Sequence, residues 1–251
     1  MTQSESAVWV VTGAVSGIGA AVTRAARSSG ARVLALDVND TAGSEIAEQT
    51  GARYQHCDVS DPEQWAAVAA TLAELGAPTH VHLNAGIQIA PPDAPLSEYA
   101  FDAMQLDRYR RLMGVNVDGV VFGLQALLPL MKEDTSIVVT ASLAGLTPYT
   151  IDPLYAMSKH AVVGLVRSLG PTLAKRGIRI SALCPGGIDT ALVPQQQRSS
   201  DVPFMTTDAI AQEVMTLMSV TETGKTWAKV AQSKPAFVIR APGDKTGKSD
   251  G

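Results

Sequence analysis

At 251 residues, with aromatics at only 5% and charged residues at 18%, the chain has the length and apolar content of one α/β domain, which excludes the disordered and fibrous classes. A net charge of -4 supplies no general attraction to nucleic acid or to anionic lipid. Cys57 and Cys184 are too few for a disulfide framework, and both stand in apolar strand-like segments that suit free buried thiols.

Residues 1–7 are polar, carry no basic stretch and lead straight into the first apolar run. No apolar run approaches the ~20 residues of a membrane span, so the expected setting is the cytoplasm. In chain order, apolar runs at 8–11, 33–36, 81–83, 137–140, 180–183 and 237–239 predict strands. Helices are predicted over 18–29, 62–74, 106–131, 153–175 and 208–219, the last capped by Thr207 or Asp208. Runs this rich in β-branched residues suit strands buried on both faces. Their alternation with helices implies right-handed crossovers and a doubly wound parallel sheet with helices on both faces. No repeat or linker divides the chain, and residues 1–251 read as one domain. Residues 190–206 form the expected substrate loop, and 243–251 a solvated tail.

After the first strand comes Thr12-Gly13-Ala14-Val15-Ser16-Gly17-Ile18-Gly19, opening directly into a helix. Glycines there permit a tight turn and let the backbone approach a pyrophosphate, while the helix N-terminus offers free N–H groups to the anion. The pattern has one residue more between its first two glycines than the usual dinucleotide fingerprint. Asp37 ends the second run 18 positions beyond Gly19, near the ~20-residue offset of an acid that binds the adenosine ribose. Its carboxylate can accept from both ribose hydroxyls and would repel a 2′-phosphate. No Arg or Lys stands at Ala14, Val15 or Val38 to neutralise one, so NAD is expected in a Rossmann fold, held by Gly13, Ser16, Gly17, Ile18, Gly19, Asp37 and Val38.

Tyr155 and Lys159 stand four apart and share a helix face. Unit charges ~4 Å apart at an effective dielectric of ~20 interact by roughly 4 kcal/mol, enough to lower a phenol pKa by up to about three units. The pair is expected to act as a tuned acid/base.

The glycine turn, Asn84-Ala85-Gly86, Asn116, Ser142, Tyr155 with Lys159, and Pro185-Gly186 occur in an order and spacing that resembles the short-chain dehydrogenase/reductase family over residues of about 8 to 190. The resemblance implies that Ser142 orients the substrate oxygen, and that Tyr155 exchanges its proton and, with Lys159, also meets the cofactor. Lys159 then lowers the Tyr155 pKa and binds the nicotinamide ribose, and Asn116 helps hold a relay water. It assigns Asp58 and Val59 to the adenine and Asn84, Ala85 and Gly86 to the adenosine side of the cleft, with Asn84 equally suited to binding neighbouring strands together. Pro185, Gly186, Ile188 and Thr190 would carry the nicotinamide and pyrophosphate. A homotetramer is the family's commonest assembly; a dimer is the other homo-oligomer expected.

His80 and His82 share a strand face without a Cys or carboxylate cluster, so no metal is expected. His160 reads as a packing residue. Residues 88–107 exceed the family's usual connection, and Pro91, Pro92, Pro95, Tyr99 and Phe101 are candidates to wall the substrate pocket or an oligomer contact. Pro171 should bend its helix unless a new one starts there. Leu143, Tyr149, Ile151 and Leu154, with Leu192, Val193, Val202, Phe204 and Met205 of the loop, suggest a largely apolar small-molecule alcohol or ketone. The alternatives are a 3-oxoacyl thioester reductase, against which Asp37 argues, and a nucleotide-binding scaffold or redox sensor, against which Ser142, Tyr155 and Lys159 argue.

Overall fold

The computed structural model describes residues 7–91, 95, 99–190 and 204–241 of the chain. In β1 (Val8–Thr12), Val8 and Val10 enter one apolar cluster while Trp9 and Val11 enter another. In β2 (Arg32–Asp37), Leu34 and Leu36 join the first cluster, and Val33 and Ala35 the second. Strands with two apolar faces require a helical layer on each side. One layer holds α3 (Pro62–Leu75), α5 (Gly119–Leu127) and α6 (Pro153–Ala174), which contribute Trp65, Leu124 and Val166. The other holds α1 (Gly17–Ser28) and α7 (Thr207–Leu217), which contribute Val22, Ile210 and Val214.

The remaining strands are β3 (Arg53–His56), β4 (His80–Leu83), β5 (Ser136–Thr140), β6 (Arg179–Pro185), β7 (Lys225–Lys229) and β8 (Phe237–Ile239). They lie in the order β3-β2-β1-β4-β5-β6-β7-β8, parallel throughout except that β8 pairs antiparallel with β7. This is the expected doubly wound, Rossmann-like sheet with one antiparallel edge. The chain moves outward from β1 to β3, then crosses to β4 on the other side of β1. The strand order therefore reverses beside β1, and a crevice opens at the carboxyl ends of β1 and β4.

Two strands and one helix lie outside the sequence expectations. The edge strand β3 is polar, Arg-Tyr-Gln-His, and only partly buried, so it lacks an apolar signature. The preceding helix α2 (Asp40–Thr50) buries only Gly43 and Ile46, and Gly43 stands inside it because the Tyr54 ring occupies the space where a Cβ would lie. Strand β7 carries a lysine at each end; Lys229 is nonetheless buried and pairs with Glu213 of α7 at 2.6 Å.

Three details correct the reading. The α7 cap is Thr206, whose hydroxyl accepts from Ala209 N at 3.2 Å, rather than Thr207 or Asp208. Helix α6 runs through Pro171 as one element, and the adjoining Gly170 lets the loop before β7 touch the helix, since a Cβ there would lie 2.3 Å from Gly224 Cα. The continuous stretch Leu106–Leu130, 25 residues long with an 18-residue window of mean hydropathy 1.4, is long and apolar enough to cross a membrane by length and composition. Leu112, Val120, Leu124 and Leu127 on it are buried within the fold, which accounts for its apolar character. Pro92, Leu192, Val193 and Val202, most of the loop 190–206, and the tail 243–251 lie outside the described residues.

Candidate active site

The crevice is stitched together by Thr12, whose hydroxyl accepts from Asn84 N at 2.8 Å and from Ala85 N at 3.0 Å. Asn84 returns the contact: Nδ2 donates to Thr12 O and Gly13 O, and Oδ1 accepts from the Thr140 hydroxyl. Its side chain thus binds β1, β4 and β5 together, one of the two roles expected for it.

Past Thr12 the chain turns so tightly that a Cβ at Gly19 would lie 1.9 Å from Gly13 O, a position only glycine can occupy. Ser16 caps α1 with extended backbone and no side-chain bond, which leaves the first-turn N–H groups of Gly17, Ile18 and Gly19 for a ligand. Asp37 Oδ2 accepts from Val15 N at 3.4 Å and Oδ1 from Asn39 N at 3.1 Å, so the carboxylate sits at the flank of the turn. Val38 beside it is 56% exposed and open to a ring lying against it. A dinucleotide fits this cradle. The pyrophosphate would meet the N-terminus of α1, and the adenosine ribose would meet Asp37.

Thr12, Val59, Ala85 and Gly119 border one small gap at the base of the crevice. Asp58 keeps Oδ1 on the Ser60 amide and hydroxyl, and its own N–H donates to Gln64. At the other end, Gly186 N donates to Lys229 O, and Ile188 bridges to Met205. Thr190 reaches back to the glycine turn, its Cγ2 3.3 Å from where a Cβ on Gly17 would stand. Thr190 and the glycine turn thus approach each other across the carboxyl edge of the sheet.

The acid/base candidates gather at the start of α6. Asp152 caps the helix, accepting from Tyr155 N at 2.8 Å, and Pro153 occupies the first turn, where a missing N–H costs nothing. Tyr155 and Lys159 share a face, with Lys159 Nζ 5.6 Å from the phenol ring centroid and donating to Thr140 O at 3.1 Å. Ser142, two residues past β5, caps a short turn through Ala144 N, and its hydroxyl favours the ionised Tyr155 phenol. A Cβ on Gly86 would lie 3.3 Å from Lys159 Nζ and 3.4 Å from Asn116 Oδ1, so these three residues converge on one point.

Asn116 lies in a π-helical turn, Gly114–Asp118, between α4 (Leu106–Met113) and α5. Its amide accepts from Ile87 N and donates to Ile87 O and to Ser158 Oγ, which pins the segment after β4 against α6.

The electrostatics of the pair differ from the simple expectation. Burial pushes the Tyr155 phenol up, opposed by the Ser142 hydrogen bond, and pushes the Lys159 ammonium down to about 8. The phenol is therefore raised rather than lowered, because desolvation outweighs the attraction of a nearby charge. Apolar neighbours supply that burial: Leu112, Ala144, Leu154 and Ala156 enclose Tyr155, with Ile87, Ile89, Tyr109 and Tyr149 around them. Tyr149 meets the Tyr155 ring edge-on at 6.0 Å. His160 is exposed rather than packed and bonds Ala156 O through Nδ1. His80 stacks on Trp9, and His82 bonds the Thr140 hydroxyl. The contributions of Thr12, Thr140 and Asp152 were not anticipated; only the Asp-Pro pair at a helix start carried a local signal for the last.

A glycine cradle at the switch point, with a buried phenol and ammonium beside it, defines an oxidoreductase of the Rossmann-like class. Comparison with known proteins narrows that class. The short chain dehydrogenase pattern matches residues 7–201, and the chain belongs to this family, the short-chain dehydrogenases/reductases. It is 38% identical over 198 residues, 76% of this chain and 75% of the relative, to 2,5-dichloro-2,5-cyclohexadiene-1,4-diol dehydrogenase of Sphingobium indicum. It is 34% identical over 190 residues, 74% and 70% of the two chains, to 3-alpha-(or 20-beta)-hydroxysteroid dehydrogenase of Mycobacterium tuberculosis. Among solved structures, a glucose/ribitol dehydrogenase-type member from Brucella melitensis superposes with TM-score 0.78 at 25% identity, covering 90% of this chain and 95% of its own. Levodione reductase gives the same values.

Proposed function

We propose that the protein is an NAD-dependent oxidoreductase that interconverts a secondary alcohol and a ketone. The observation that carries this reading is the convergence of Ser142, Tyr155 and Lys159 beside a glycine cradle flanked by Asp37. The cradle would hold the dinucleotide through Gly13, Ser16, Gly17, Ile18, Gly19, Asp37, Val38, Asp58, Val59, Ala85, Gly86, Pro185, Gly186, Ile188 and Thr190. The chemistry that this cofactor supplies when bound is the acceptance or return of a hydride at its nicotinamide ring.

In oxidation Tyr155 takes the carbinol proton as the carbonyl forms, and in reduction it returns one. Ser142 holds the substrate oxygen against Tyr155 and offers its hydroxyl to the developing charge. Lys159, when protonated, favours the phenolate and holds the nicotinamide ribose, while Asn116 keeps the segment at Ile87 in register for a water relay. The apolar side chains around Tyr155, with the dihydroxylated ring in the name of the Sphingobium relative, support an alicyclic carbinol as substrate class. A cytoplasmic homo-oligomer, tetramer or dimer, belongs to the same reading, and light scattering on the purified protein tests the assembly.

The test is a titration of NAD and NADP followed by a screen of alicyclic alcohols and ketones at the absorbance of reduced nicotinamide. Preference for NADP would refute the cofactor assignment. Asp37→Ser is expected to raise the NADP-to-NAD ratio of kcat/KM on the order of 10²-fold, because a like-charge contact with the 2′-phosphate costs several kcal/mol. An unchanged ratio would remove Asp37 from the ribose site.

A further inference from the structure

The carboxylate of Asp152 does more than cap a helix. It is 3% exposed, and its two oxygens serve different elements: Oδ1 accepts from Tyr155 N at 2.8 Å, and Oδ2 accepts from Ile89 N at 2.9 Å. Ile89 lies at the start of the long segment that follows β4, 63 positions away in the chain. That segment is held again two residues earlier, where Asn116 bonds both the N–H and the carbonyl of Ile87. Ile87 and Ile89 pack into the apolar cluster that encloses Tyr155. The wall of the site and the phenol thus hang on one buried carboxylate.

We propose that Asp152 is a positioning residue that couples the wall formed by residues 87–89 to the helix start that carries Tyr155, so that it sets the fit of the substrate against the acid/base. This rests on the reading of Tyr155 as the acid/base. A helix cap alone needs one acceptor and tolerates Ser, Thr or Asn. The second oxygen, used on a distant amide inside the fold, is what a cap does not require.

The carboxylate also places a buried negative charge at the backbone of Tyr155, on the same residue as the phenol. The groups facing Tyr155 are the Ser142 hydroxyl, which favours the phenolate, Tyr149, Asp152 and Cys184, which disfavour it, and Lys159 across the ring. Burial pushes the Cys184 thiol up to about 11, so it is neutral at working pH. Asp152 is therefore the one carboxylate among them, and removing its charge lowers the pH at which the phenol ionises.

Asp152→Ser keeps a capping oxygen but is too short to reach Ile89. With cyclohexanol and NAD as probes, it is expected to raise the KM for the alcohol about tenfold, the worth of a hydrogen bond to a charged group, with the KM for NAD unchanged. The rising limb of the oxidation pH profile should move to lower pH, and amide exchange at Ile89 should accelerate while that at Tyr155 stays slow. Asp152→Asn, which keeps the shape and loses the charge, should move the limb in the same direction should the serine variant fold poorly. A wild-type alcohol KM, an unmoved limb in both variants, or unchanged exchange at Ile89 would each overturn the proposal. Full turnover in Tyr155→Phe would instead sink the acid/base reading, and the exchange at Ile89 would still decide whether the clamp exists.

Discussion

Tyr155→Phe is expected to lower kcat by about 10²- to 10⁴-fold, the range that a positioned general acid or base contributes. The change removes one oxygen from a ring that is 7% exposed and packed by Leu112, Leu154 and Tyr149, so the ring keeps its neighbours. Binding of NAD should be unaffected, since the turn at Gly13 and the flank at Asp37 lie on other elements. The pH dependence follows from the same environment. Burial raises the phenol, and oxidation needs it deprotonated, so oxidation should rise with pH through the alkaline range while reduction falls. A flat profile from neutral to alkaline pH would contradict the assignment.

Lys159→Met should move activity and stability in opposite directions. The ammonium is 3% exposed, and its pKa is lowered from 10.5 to about 8 by burial. A lysine whose folded pKa lies below its unfolded one binds fewer protons in the folded state, so stability without cofactor rises with pH between about 8 and 10.5. Below that window the charged lysine is a cost, of about 3 kcal/mol at neutral pH if the whole shift is counted. Methionine removes that cost but forfeits the bond to Thr140 O, worth about 1 to 2 kcal/mol, so a net gain of about 1 to 2 kcal/mol is expected. The melting temperature of the cofactor-free variant should rise by several degrees at pH 7, and its advantage should shrink toward pH 10. Its kcat should fall at least as far as that of a variant lacking a general acid, because the phenol has lost its ammonium. A melting temperature below wild type at pH 7 would show that the hydrogen bond outweighs desolvation.

How much of this is legible in the sequence depends on whether the cause is local. β1 and β2 announce themselves because both their faces are apolar, and the turn at Gly13 to Gly19 because a side chain there meets backbone. The spacing of Tyr155 and Lys159 requires only helix geometry. β3 is hidden because an edge strand buries too little to need an apolar face, and β7 because Lys229 looks solvated until Glu213 is brought beside it. The direction of the Tyr155 shift was beyond reach for a related reason. It is decided by Leu112, Ile87 and Tyr149, which arrive from three separate parts of the chain. Asp152 shows both cases at once: its cap can be read from Asp-Pro, its bond to Ile89 cannot.

The hairpin of β7 and β8 gives the least conventional part of the chain a hold on its most demanding loop. Lys229 offers its carbonyl to Gly186 N, and its ammonium gathers Glu213 and the carbonyls of Gln232 and Lys234. An exchange of everything past residue 220 with a relative is therefore not a trade of tails. The incoming segment would have to supply a carbonyl at the same height for Gly186 and a cation for Glu213, or the loop at Gly186 would be rebuilt along with it. Variation at this end of the chain would thus act on the loop at Gly186 from behind, through Lys229.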